Sequence, residues 1–115
     1  MSKIIYILFF IISTNLSSAE QHYVDGIEEL PLATDMLNMP DSLIFFDTNE
    51  GKFIQTKIFG KKSINFVKNF YNNILPNLGW KIKENNKFYR KSEFLEIHYY
   101  MIEKNLVVEF NIKPK

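Results

Sequence analysis

The chain has no cysteine. That absence excludes the disulfides on which small exported domains often depend, and with them thiolate metal centres, a cysteine nucleophile and an acylated lipoprotein anchor. Histidine is nearly as scarce. The two present, His22 and His98, are far apart in sequence and show neither HxH nor HxxxH spacing, so no metal is expected. His98 alternates with Glu96 and Tyr100 and reads as a surface residue of a strand. Only four glycines occur, and none forms a phosphate-binding loop. There is no GxSxG and no recognised Ser-Lys motif. Glu93 and Glu96 are three apart on an expected strand and point to opposite faces, which is no glycosidase-type carboxylate pair. Residues 47–51 (DTNEG) carry oxygens but lack the ligand count and spacing of a calcium loop. The chain reads as non-catalytic and without a cofactor.

Basic residues are missing from a long stretch. Residues 20–50 hold eight acidic side chains and no lysine or arginine, whereas residues 51–115 hold five acidic against thirteen basic. A −8 segment thus precedes a +8 segment. The basic part taken alone suggests an anionic partner, such as a phospholipid surface or nucleic acid. The reading preferred here is that the acidic segment lies across the basic body and compensates it. Export argues further against nucleic acid.

Export is inferred from the first 19 residues. Lys3 precedes the apolar run IIYILFFII of residues 4–12, and Ser17 and Ala19 occupy the two small positions of a cleavage site. This is the pattern of a signal peptide cleaved after Ala19. Nine apolar residues in helix reach about 14 Å, short of the ~30 Å hydrocarbon core, so no transmembrane span is expected after cleavage. A periplasmic location follows as the expectation. The remaining residues suffice for one small domain stabilised by its core, in which aromatic side chains supply the bulk.

The domain divides into an acidic extended arm, residues 20–41, and a single α+β body, residues 42–115. Pro31, Pro40 and Gly26 interrupt the arm, and a short helical turn is expected near residues 35–38. In the body, residues 43–47 (LIFFD) form a strand that is apolar on both faces. Residues 48–51 (TNEG) turn the chain, and residues 52–59 return. Ser63 is placed to cap a helix. Val67, Phe70, Tyr71 and Ile74 then fall at i, i+3, i+4 and i+7, on one stripe. Pro76 ends the helix by disfavouring helical backbone at Leu75, and Gly79 permits the turn into Trp80.

Two hairpins follow. For residues 80–91, a two-residue Asn85-Asn86 loop would set Phe88 beside lysines. A three-residue loop pairs Ile82 with Phe88 and Lys81 with Tyr89, gathering Trp80, Ile82 and Phe88 on the inner face, and is preferred. For the last hairpin, a turn at Lys104-Asn105 pairs Met101 with Val108, Tyr99 with Phe110 and Ile97 with Ile112. The other face receives His98, Tyr100, Glu109 and Asn111. The predicted order is β-β-α-β-β-β-β, an antiparallel sheet buried on one side by a helix.

Two binding surfaces suggest themselves. One is the basic, aromatic outer face of residues 81–91, with Lys81, Lys83, Lys87, Tyr89 and Lys91, which suits an acidic envelope protein or an anionic lipid surface. The other is a cleft between helix and sheet lined by Tyr71, Trp80 and Tyr99, suited to a small apolar ligand or lipid. The three aromatics also have an ordinary reading as core. Salt dependence separates the two surfaces, because only the first relies on screened charge.

Leu30-Pro31-Leu32, FDTNEGK at residues 46–52, FYNNILPNLGW at residues 70–80 and FYRKSEFLEI at residues 88–97 occur in that order. Together they resemble a family of small, exported, uncharacterised alphaproteobacterial proteins with an FY…LP.LGW helix exit and an arginine-bearing strand. The chain departs from that pattern in lacking Pro-Gly after Leu32 and in having Lys52 where arginine is common. The resemblance implies a periplasmic α+β domain and brings no activity, substrate or catalytic residue. Arg90, at the matching strand position, shares a face with Trp80 and Phe88. An unpaired charge is costly there, so a carboxylate partner is expected, with the acidic arm as one source.

Overall fold

A computed structural model describes residues 22–115; the expected signal peptide and its cleavage site at Ala19 lie outside the described residues. The architecture is α+β. Strands β1 (Tyr23–Val24), β2 (Ile27–Pro31) and β3 (Met36–Asn38) precede β4 (Ile44–Thr48) and β5 (Gly51–Gly60). Helix α1 (Ile64–Ile74) and a 3-10 turn (Pro76–Leu78) lead to β6 (Lys81–Glu84), β7 (Lys87–Arg90), β8 (Glu93–Ile102) and β9 (Asn105–Pro114). From β4 onwards this is the predicted order.

β1 and β2 pair with each other, while the other seven strands form one antiparallel sheet. β3 and β4 lie end to end along one side of β5. Beyond β5 come β9, β8, β7 and β6. After β5 the chain passes through α1 to the far edge of the sheet, then meanders back until β9 closes against β5. The strand alternation explains the burial. Ile54, Thr56 and Ile58 of β5, Leu95 and Ile97 of β8, and Leu106, Val108, Phe110 and Ile112 of β9 share the inner face and are buried. α1 covers that face with Val67 and Tyr71, followed by Leu75, and the Tyr71 ring meets Phe110 edge to face at 5.2 Å. Each aliphatic or phenylalanine side chain among these contributes about 1.5–3 kcal/mol on burial.

The helix behaves as its sequence dictates. Ser63 Oγ accepts a hydrogen bond from the Phe66 amide at 3.1 Å, satisfying one of the orphan donors of the first turn. The helix ends at Ile74, although Leu75 keeps right-handed helical angles and runs into the 3-10 turn. Gly79 then adopts φ 92°, where an added Cβ would sit 3.3 Å from Arg90 Cδ.

The arm departs from expectation. The helical turn expected near residues 35–38 is instead strand β3, paired with residues 58–60 of β5. Asp25-Gly26 makes a tight hairpin turn between β1 and β2, with Gly26 at φ 83°, a left-handed conformation that strains any side chain; a Cβ there would also displace Leu43 Cδ1, 2.6 Å away. Val24, Ile27, Leu30, Ala33 and Met36 belong to the same buried cluster as α1 and the sheet. The Tyr71 hydroxyl fastens the arm by donating to the Pro31 carbonyl at 2.9 Å and accepting from the Ala33 amide at 3.0 Å.

Both late hairpins carry register lessons. β6 and β7 do pair Ile82 with Phe88 and Lys81 with Tyr89. The loop is nevertheless the two-residue Asn85-Asn86, closed by Glu84 opposite Lys87, and a bulge between Ile82 and Glu84 restores the faces. Ile82 lies on the inner face but is 63% exposed, a correction to its expected burial. β8 and β9 turn at Glu103-Lys104, not Lys104-Asn105. Met101 faces Leu106, Tyr99 faces Val108 and Ile97 faces Phe110. That is a shift of two from the expected pairing, and it leaves every side chain on its expected face.

Candidate functional site

The outer face of the sheet is built from rows that run across the strands. Lys81, Tyr89, Phe94 and Lys113 stand opposite one another in register across β6, β7, β8 and β9. Lys83, displaced by the bulge, holds its Nζ 4.7 Å above the Phe94 ring, and Lys115 holds its Nζ 5.2 Å from the Tyr89 ring. Lys91 sits in the β7–β8 turn at φ 53°. It shares with Lys81, Tyr89, Arg90, Glu93 and Lys115 an open concavity of about 680 Å³.

Four of the expected surface residues, Lys81, Lys83, Tyr89 and Lys91, are therefore brought together. Phe94, Lys113 and Lys115 join them. Those three were out of reach of a local reading, because cross-strand register alone places them beside the hairpin. Lys87 belongs to the next row, where Glu96 holds it at 3.6 Å and Glu84 at 3.9 Å. That row continues through Asn111 to Gln55. Gln55 and Asn111 both donate to Glu109 Oε2, so the middle of the outer face is polar and internally bonded. His98 stands there, 3.6 Å from Glu96. Among the described residues no three His, Cys, Asp or Glu side chains come together as a metal site.

Among the described residues, charge compensation by the arm is confined to two contacts. Glu29 meets Arg90 at 3.4 Å, and Asp35 meets Lys62 at 3.5 Å. Arg90 is the better built of the two. Its guanidinium lies 4.3 Å over the Trp80 ring, Nη1 donates to the Leu78 carbonyl at 2.8 Å, and Glu93 approaches at 3.8 Å. The expected carboxylate from the arm is thus Glu29, and Arg90 ties arm, helix exit and sheet together. By contrast Lys81, Lys83, Lys91, Lys113 and Lys115 have no carboxylate within 4 Å among the described residues. Elsewhere among the described residues the same holds only for Lys61, Lys68 and Lys104, since Lys52, Lys57, Lys62 and Lys87 are paired.

The aromatic cleft is filled. Tyr71 and Trp80 are buried, and Tyr99 is partly buried and packed against the core cluster to which they belong. Burial pushes the Tyr71 and Tyr99 phenols well above their ordinary range, an effect that the Ala33 amide partly offsets at Tyr71.

A second surface has the opposite character. β4 was expected as a strand apolar on both faces, and it is exposed along its whole length. Leu43 is 44% exposed, Ile44 52%, Phe45 55% and Phe46 51%. Phe46 stacks on Phe53 at 5.0 Å, while among the described residues no strand lies beside β4's other side. Among the described residues no helix is long and apolar enough to cross a membrane. The chain matches no family model, no curated protein and no solved structure.

Proposed function

We propose that this chain is an exported, non-catalytic binding module of the cell envelope that docks on an anionic phospholipid surface. The observation that carries this reading is the gathering of Lys81, Lys83, Lys91, Lys113 and Lys115, none ion-paired within 4 Å among the described residues, around Tyr89 and Phe94 at one end of the sheet. Arg90 and Lys87 are already held by acidic neighbours and contribute structure instead. A lysine near an anionic membrane is worth roughly 1 kcal/mol, so five give attraction that is useful at low salt and falls as the Debye length shortens. Tyr89 offers an aromatic body with a polar tip, suited to a headgroup layer.

The test is vesicle flotation with phosphatidylglycerol-containing and purely phosphatidylcholine vesicles, at low and high salt. Binding is expected only to the anionic vesicles and only at low salt. Lys81→Glu with Lys91→Glu should abolish it, while Lys61→Glu with Lys68→Glu, the same charge change elsewhere, should leave it intact. Equal loss with both pairs, or binding that ignores salt, would refute the reading. Capture of an acidic envelope protein in place of vesicles would transfer the surface to a protein partner.

A further inference from the structure

The two edges of the sheet are finished differently. On the β6 edge, Lys81 and Lys83 stand within the strand itself and a bulge between Ile82 and Glu84 breaks its ladder. Edge lysines and bulges are standard means by which sheets refuse further strands. The β4 edge has neither. Residues 43–46 are Leu-Ile-Phe-Phe, each about half exposed, and among the described residues the β4 backbone pairs with β5 alone. Alternate residues of an antiparallel edge strand turn their N–H and C=O groups outward, so β4 presents a bulge-free, largely apolar ladder that is unpaired among the described residues.

We infer that β4 is the pairing edge of a two-fold dimer, with β4 of a second copy of this chain antiparallel against it. The occupant must be a strand. A lipid tail offers the outward ladder groups no hydrogen bonds, and a helix has its own backbone groups already satisfied. The strand's own composition suits a second copy. Turned end for end about Phe45, it sets Ile44 against Phe46 of the second copy, a β-branched and aromatic pair. Each Asp47 then lies beside Leu43 of the other copy and about 13 Å from its own equivalent, so like charges do not meet. The β6 edge is a poor alternative occupant because of its bulge and lysines, and a β4-to-β6 contact would propagate into an open filament.

Area sets the strength. Four half-exposed large side chains remove roughly 100 Å² each from water. That is about 800 Å² across both copies, below the ~1,200–2,000 Å² of standard stable interfaces. The dimer is therefore weak and concentration-dependent. It leaves the basic end of the sheet free, so it does not depend on the proposed membrane role.

Sedimentation velocity on the purified protein over a wide concentration range tests it. One chain's mass is expected on dilution and two chains' mass on concentration, with no larger species. Phe45→Lys gives this edge the residue that blunts the other, and should weaken dimerisation by roughly tenfold or more while the dilute protein melts unchanged. Hydrogen exchange of the wild-type chain supplies a readout that needs no variant: amides within residues 43–47 should slow selectively as concentration rises. A monomer at every concentration, a dimer indifferent to Phe45→Lys, an open-ended series of oligomers, or exchange in residues 43–47 that ignores concentration would each overturn the inference.

Discussion

Thr56 sits in the middle of β5 with none of its surface exposed, between Ile54 and Ile58 on the inner face and opposite Phe110. Its Oγ1 has no hydrogen-bond partner among the described residues. Valine has the same shape and no hydroxyl. Burying a hydroxyl without a partner costs about 1–3 kcal/mol by mutational measures, so Thr56→Val should stabilise the fold by roughly 1–2 kcal/mol, allowing for small losses in repacking. For a domain of this size each kcal/mol moves Tm by about 4–8 °C. Urea denaturation followed by circular dichroism should show a higher midpoint at unchanged slope, because the surface exposed on unfolding is the same. Thr56→Ser keeps the orphan hydroxyl and removes the methyl, and should destabilise by about 1 kcal/mol through the void it leaves. If Thr56→Val is neutral or harmful while Thr56→Ser is tolerated, the hydroxyl is doing work in the core and the reasoning fails.

Two other outcomes follow from the packing. Burial holds the Tyr71 and Tyr99 phenols above the ordinary tyrosine value, so the folded state binds protons that the unfolded chain would release. The stability from these groups is whole below about pH 10 and is lost as pH rises from there towards the folded values. An ultraviolet phenolate titration should show two tyrosines ionising only together with loss of the folded circular dichroism signal; free ionisation of both in the intact fold would contradict their burial. Arg90→Met removes a guanidinium stacked on Trp80 and bonded to the Leu78 carbonyl, and should cost roughly 1–2 kcal/mol in chemical denaturation. Glu29→Gln should cost less, since that carboxylate is half exposed, and an Arg90→Met protein as stable as wild type would show that Arg90 does not tie the arm down.

The body of the fold was legible because its signals are local. Ser63, the Val67–Tyr71 stripe, Pro76 and Gly79 each act within a turn of where they stand. The β6–β7 pairing was recoverable since a slip of one residue would have turned Phe88 outward. A slip of two changes no face, and the β8–β9 pairing went astray by that amount. The arm was hidden for another reason. Its buried residues Val24, Ile27, Leu30, Ala33 and Met36 recur every third position, matching neither strand alternation nor the helical stripe. The Asp25-Gly26 turn between Val24 and Ile27 was a hairpin signal that the acidic surroundings obscured. The candidate sites were harder. Lys113 and Lys115 reach Lys81 through three strand pairings, and residues 43–46 look like buried strand until the sheet order puts them on an edge.

The closure of β9 against β5 has a consequence for how the fold is reached. Its contacts join residues as distant as Ile54 and Ile112, whereas β4–β5 and the β6–β7–β8 meander form from near neighbours. Until β9 docks, the chain holds two half-sheets with one helix between them and no shared core. Loop-closure entropy is spent before those long-range contacts return anything. Folding should therefore be slow for so small a domain and governed by a single late event. In the interval, each half-sheet exposes an additional raw edge, and the chain's exposure to misassembly is concentrated in the time that β5 and the β8–β9 hairpin take to meet.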